Sequence, residues 1–152
     1  MPHINLDSAA PGIGGLLQFR PETGRPLSEL AEVLLVGPST LTRGERELIA
    51  AQVSSLNECR FCTGSHAAFA AAQLPGGMQL VEQVRADPED AAISAKLKAL
   101  LRIAAAVQVS GREVSAADVE RARHEGATDL EIHDTVLIAA AFCMYNRYVD
   151  GL

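Results

Sequence analysis

The chain has 152 residues, 48% of them hydrophobic and 4% aromatic, with no tryptophan and a formal net charge of −6. That length suits one domain spanning 1–152 with a buried core, and an apolar content dominated by Ala and Leu favours helices packed closely on helices. An acidic balance without any Lys- or Arg-rich run argues against nucleic acid as a partner, and no apolar run is long enough to cross a membrane.

Residues 1–26 are rich in proline and glycine and read as an extended N-terminal arm rather than regular structure. The opening "MPHINLDSAAPGIGG" lacks a charged start followed by an apolar core, so it does not read as a signal peptide. "PLSELAEVLLVGPS" predicts a short helix capped by Ser28 and stopped by Gly37-Pro38. Thr42 and Glu45 have capping-box spacing and open a helix to about Leu56. Asn57 and Glu58 interrupt it, and a further helix runs from near Cys59 to Ala72, ended by "LPGG". In the second half, Ile93, Leu97, Leu100, Leu101, Ala104 and Ala105 share a helical face that closes at Gly111. Ser115 with Asp118 begins a short helix ended by Gly126, and Thr128 with Glu131 begins a last helix from about Asp129 to Tyr148. No segment alternates convincingly enough to be a strand. The reading is all-α, with about six helices and a helical hairpin at Arg43–Ala72.

Within that hairpin stand Glu47, Cys59, Cys62 and His66. Three cysteines without an export signal point to the reducing cytoplasm, where a close cysteine pair is catalytic or metal-binding more often than a structural staple. If the two helices turn near Asn57, residues whose numbers sum to about 113 face each other, which pairs Glu47 with His66. His66 also follows Cys62 by four residues, so the two share a helix face. Cys59 and Cys62 fall in a first helical turn, where free N–H groups and the positive end of the dipole stabilise a thiolate. The chemistry this permits is attack of a thiolate on a peroxide, giving a sulfenic acid that condenses with the second thiol.

Other readings compete. The four residues could simply be core, as Cys143 in "IAAAFCMYN" is read to be. They could instead form a structural zinc site, with Glu47 as fourth ligand in the absence of a second Cys/His cluster. A thioredoxin-like domain is disfavoured, because it needs a strand before its Cys-x-x-Cys and here a helix precedes it. His3 lies in the arm, His124 and His133 read as surface residues, and Arg147 as an anchor for a chain end or a partner.

Glu47, an eleven-residue gap, Cys59-x-x-Cys62, three residues and His66 together resemble the signature of the AhpD-like alkylhydroperoxidases of the carboxymuconolactone decarboxylase superfamily. The resemblance is closest to their peroxidase-related branch. It extends to "PGIGGLLQFRPETGRPLSELAEVLL" and to "SAADVERARHEGATDLEIHDTVLIAAAFCMYNRYVDGL", and so covers nearly the whole chain. It implies an all-α fold and a thiol peroxidase using no metal or cofactor. Cys62 would be the peroxidatic cysteine, Cys59 the resolving one, and Glu47 with His66 the proton relay. It also implies a peroxide substrate, a dithiol reductant, and assembly into trimers or hexamers, or else dimers. Well-characterised members carry a histidine just before the second cysteine, where this chain has Phe61. The superfamily also holds lactone decarboxylases that work without the cysteine pair. The alternatives are therefore such an enzyme, or a non-catalytic redox-sensing or zinc-binding helical module.

Overall fold

Among the described residues four side-chain caps mark where α-helices begin, and the sequence marks three of them. The structure, a computed structural model, describes residues 2–6 and 8–152. Thr42 accepts from the Glu45 amide at 3.2 Å while Glu45 accepts from the Thr42 amide at 2.8 Å, opening a helix over Arg43–Leu56. The same reciprocal boxes at Ser115/Asp118 and Thr128/Glu131 open helices over Ala116–His124 and Asp129–Gly151. Ser94 caps a helix over Ala95–Val109 through the Leu97 amide. Among the described residues there are eight α-helices and no strands. In chain order they are α1 (Ile13–Phe19), α2 (Pro21–Leu35), α3 (Arg43–Leu56), α4 (Arg60–Gln73), α5 (Gly77–Ala86), α6 (Ala95–Val109), α7 (Ala116–His124) and α8 (Asp129–Gly151).

The all-α expectation holds, but the count of about six omits α1 and α5. The expectation of an irregular arm through residue 26 fails beyond residue 12. Pro21 occupies the first turn of α2, where its missing N–H is no loss. Ser28 therefore caps nothing; it lies inside α2 and its hydroxyl donates to the Gly24 carbonyl at 2.8 Å. Gly24 is required by packing: a Cβ there would stand 2.1 Å from the Leu17 carbonyl oxygen of α1. Two helices can cross this closely only where one lacks a side chain.

Ten of the fourteen residues of α3 are buried, which makes it the central helix of the molecule. It packs against α4 in the predicted hairpin and against α6 and α8 on its other sides. Leu48, Ile49, Leu100, Leu101, Ile103 and Ile138 are fully buried where these helices meet. Of the buried polar residues of α3, Gln52 leaves its side-chain oxygen without a partner, whereas Arg46 is engaged. Buried Arg46 donates to the carbonyls of Leu34 at 3.1 Å and Gly37 at 2.9 Å, and so ties the end of α2 to the core. Among the described residues no helix is long and apolar enough to cross a membrane.

Candidate functional site

The bend between α3 and α4 is built from three residues, Asn57–Cys59, with Glu58 in the left-handed region at φ 60°. It is pinned from outside the hairpin. Asn57 donates to Asn146 of α8 at 2.8 Å and accepts from Gln108 of α6 at 2.9 Å, and Asn146 donates to Ser54 at 3.1 Å. With the bend held, Glu47 and His66 meet as their spacing predicts: His66 Nδ1 lies 2.7 Å from Glu47 Oε2. Glu47 is only 2% exposed. A carboxylate can only accept, so Nδ1–H donates to it, and in the neutral ring Nε2 then carries the lone pair. The ring is fixed edge-on against Phe142, centroids 4.6 Å apart, and against Phe69 at 5.8 Å. Arg43 Nε stands 3.9 Å from the other Glu47 oxygen.

Cys62 and His66 line one apolar cavity of about 200 Å³. Its walls come largely from elements that motif spacing could not indicate: Ile13 and Leu17 of α1, Leu27 and Ala31 of α2, and Phe142 and Tyr145 of α8. The Tyr145 hydroxyl donates to the Leu27 carbonyl at 2.8 Å and Tyr148 to Leu16 at 3.3 Å, fastening the first two helices over the cavity. The signals that could have located this roof were Pro21 as a helix start and the apolar spacing of Leu27, Leu30 and Ala31. Phe61 completes the wall, and its ring lies where a Cβ on Gly12 would be, 2.2 Å from that position. Gly12 itself has φ +56°, so both its backbone and its surroundings exclude a side chain.

The two motif cysteines differ. All three cysteines are free thiols, Cys59 and Cys62 buried and Cys143 half-buried against Asn57. Cys59 is the residue before the first turn of α4, and a stabilised thiolate was expected there. Instead its pKa is pushed up to about 12. Burial is the largest cause, followed by its hydrogen bond with Cys62; the Cys62 amide pulls the other way, and a hydrogen bond to the Asp150 carboxylate adds to the rise. A rise from 9 to about 12 amounts to about 4 kcal/mol in favour of the thiol, against at most about 2 kcal/mol from a helix dipole. Burial wins. Asp150 belongs to the last turn of α8, beyond the predicted end of that helix at Tyr148.

The remaining candidates stay apart from this site. His124 is exposed, His133 is exposed and bonded to Asp134 at 3.0 Å, and Arg147 donates to the Cys143 carbonyl of its own helix. His3 lies on the arm, where its amide bonds the Leu152 carbonyl. Among the described residues no three His, Cys, Asp or Glu side chains are grouped so as to hold a metal ion.

The carboxymuconolactone decarboxylase family matches residues 21–74, a span that includes α2, α3 and α4 with Glu47, Cys59, Cys62 and His66. No curated protein matches the chain. A crystal structure from Ralstonia eutropha JMP134, described as an alkylhydroperoxidase AhpD core and an uncharacterized peroxidase-related protein, is 30% identical, with a TM-score of 0.83 over 90% of this chain and 71% of that one. An uncharacterized peroxidase-related protein from Silicibacter sp. TM1040 is 31% identical, also with a TM-score of 0.83 and the same coverage. Likeness in sequence as well as fold over most of both chains places this one: it belongs to the AhpD-like proteins of the carboxymuconolactone decarboxylase superfamily.

Proposed function

We propose that this protein is a thiol peroxidase that reduces hydrogen peroxide or organic hydroperoxides through a Cys59–Cys62 disulfide, re-reduced by a dithiol. The observation that carries the reading is the shared cavity: Cys62 and an imidazole held by a buried carboxylate at 2.7 Å line the same small apolar space. His66 accepts the Cys62 proton, directly or through a water, with Glu47 steadying the imidazolium. The Cys62 thiolate attacks the peroxide, the O–O bond breaks, and the departing alkoxide takes the proton from His66, leaving an alcohol and a Cys62 sulfenic acid. Cys59 then attacks that sulfur, giving the disulfide and water, and a dithiol returns both cysteines to thiols while becoming oxidised itself. The acid–base pair serves an enzyme that assembles from copies of itself, a trimer or hexamer over a dimer, with exposed apolar side chains such as Val33, Phe69 and Met78 available for contact.

The test is peroxide consumption with a generic dithiol. Cys62→Ser should abolish reaction, whereas Cys59→Ser should allow one oxidation that a dimedone-type reagent traps as sulfenic acid. His66→Ala and Glu47→Gln should slow attack by about two to four orders of magnitude. Light scattering on the same preparation should give a multiple of the single-chain mass. Undiminished sulfenic acid formation in Cys62→Ser, or stoichiometric zinc lost with that substitution, would overturn the assignment.

A further inference from the structure

The apolar cavity that holds Cys62 and His66 has few side chains able to give a hydrogen bond to a bound molecule. Besides those two, three hydroxyls line it: Ser28, Ser65 and Tyr145. Two of the three are committed to the backbone. Ser28 donates to the Gly24 carbonyl and Tyr145 to the Leu27 carbonyl, each at 2.8 Å. Since a hydroxyl has one proton, neither has another to give. Ser65 differs. It is half-buried within α4, where a serine commonly bonds the carbonyl one turn back, as Ser28 does in α2. Among the described residues the Ser65 hydroxyl makes no such bond and has no other partner. The neighbouring Phe61 offers no donor from its side chain.

Its position along the helix gives this hydroxyl a use. Ser65 follows Cys62 by three residues and His66 follows it by four, so both stand on the Cys62 face of α4, one turn further along. Arg60, Thr63 and Gly64 belong to another face, which lines a surface cleft with Arg85, and their side chains lie outside the cavity. When a thiolate attacks a peroxide, the sulfur, the attacked oxygen and the departing oxygen come into line. Negative charge then grows on the oxygen further from the sulfur. A peroxide attacked by Cys62 and lying along this face turns that oxygen toward Ser65 and His66.

We propose that Ser65 is a catalytic residue of the peroxide step, its hydroxyl donating a hydrogen bond to the departing oxygen as the O–O bond breaks. The proposal rests on the thiol peroxidase reading. The Cys62 thiolate supplies the electron pair of the new S–O bond, and the attacked oxygen carries its own hydrogen into the sulfenic acid. The O–O electron pair leaves with the other oxygen, which takes its proton from the His66 imidazolium. Ser65 keeps its proton throughout and stabilises the charge until that transfer. A fixed donor in an apolar space does this better than water, because it is already oriented when the charge appears.

The test compares leaving groups. Reaction of Cys62 in the full chain is timed with an alkyl hydroperoxide, an aromatic peracid and iodoacetamide, and read at that residue by peptide mass. Ser65→Ala removes the hydroxyl and substitutes a better helix former. It should slow the hydroperoxide, which expels a strongly basic alkoxide, about a hundredfold. The peracid expels a weakly basic carboxylate and should lose less than about tenfold, and iodoacetamide, which expels iodide, should stay within about twofold. A hydroperoxide rate in Ser65→Ala within about twofold of the parent, or equal slowing with all three reagents, would overturn the role of Ser65 and leave the peroxidase reading standing. A parent protein alkylated at Cys62 but inert to both peroxides would sink the peroxidase reading, and the role of Ser65 with it.

Discussion

Two cysteines three residues apart share a helix start but not an environment. Cys59 is held as a thiol by burial first and by its bonds to Cys62 and Asp150 after that, with a pKa of about 12. At pH 8 its thiolate fraction is about a thousandfold below that of an ordinary cysteine. Native protein treated with iodoacetamide at pH 8 should therefore keep Cys59 unmodified, by peptide mass mapping, while unfolded protein is alkylated fully. The sign of the pH effect on stability follows. The folded state binds this proton more tightly than the unfolded state does, so the contribution is intact below the ordinary value of 9 and is lost as pH rises toward about 12. Rapid alkylation of native Cys59 at pH 8 would show that the sulfur is not buried in this way.

Between elements, a buried polar junction lies at the start of α8. Glu131 closes the Thr128 capping box, and its other oxygen accepts from Lys96 of α6 at 3.0 Å and from Thr40 at 2.9 Å. Burial pushes this carboxyl up, but the Thr128 amide and the bonds and charge of Lys96 outweigh it and hold it below 4.5. Glu131→Gln keeps the shape and removes the charge, leaving Lys96 without its counter-ion in a half-buried place. It should cost about 2–3 kcal/mol in urea unfolding at pH 7. Since the folded carboxyl is the stronger acid, the wild-type advantage should be present above pH 4.5 and shrink as pH falls through the lower folded value. Equal stability of the two proteins at pH 7 would refute this account of the junction.

Over the whole molecule, the arm and the first two helices form a roof on the hairpin, and Phe61 against Gly12 is the contact that joins roof to motif. Gly12→Ala meets two obstacles, a left-handed backbone and a ring already in place. It should destabilise the fold by about 1–2 kcal/mol through the backbone alone, more with the clash. In a double-mutant cycle with Phe61→Ala the clash part disappears, so the two changes should couple by about 1 kcal/mol. Additive thermal denaturation results would mean that Phe61 does not rest on Gly12.

Much of this architecture is local in origin and was therefore legible in the sequence. Thr42/Glu45, Ser115/Asp118 and Thr128/Glu131 start helices because a side chain and an amide three residues away satisfy each other wherever they occur. The meeting of Glu47 with His66 follows from helical period and a short bend, so spacing alone brings them opposite. The remainder depends on what lies across the fold. Residues 13–26 look irregular by their prolines and glycines, but Pro21 starts a helix and the packing of α2 on α1 makes Gly24 a crossing point. A helix dipole is a property of the segment, and it favoured a Cys59 thiolate; burial is a property of the packed molecule, and it decided for the thiol. Asn146, 89 residues beyond Asn57, reaches the bend only because α8 packs on α3. Period and capping act over a single turn, whereas desolvation and long-range proximity exist only once the helices have packed.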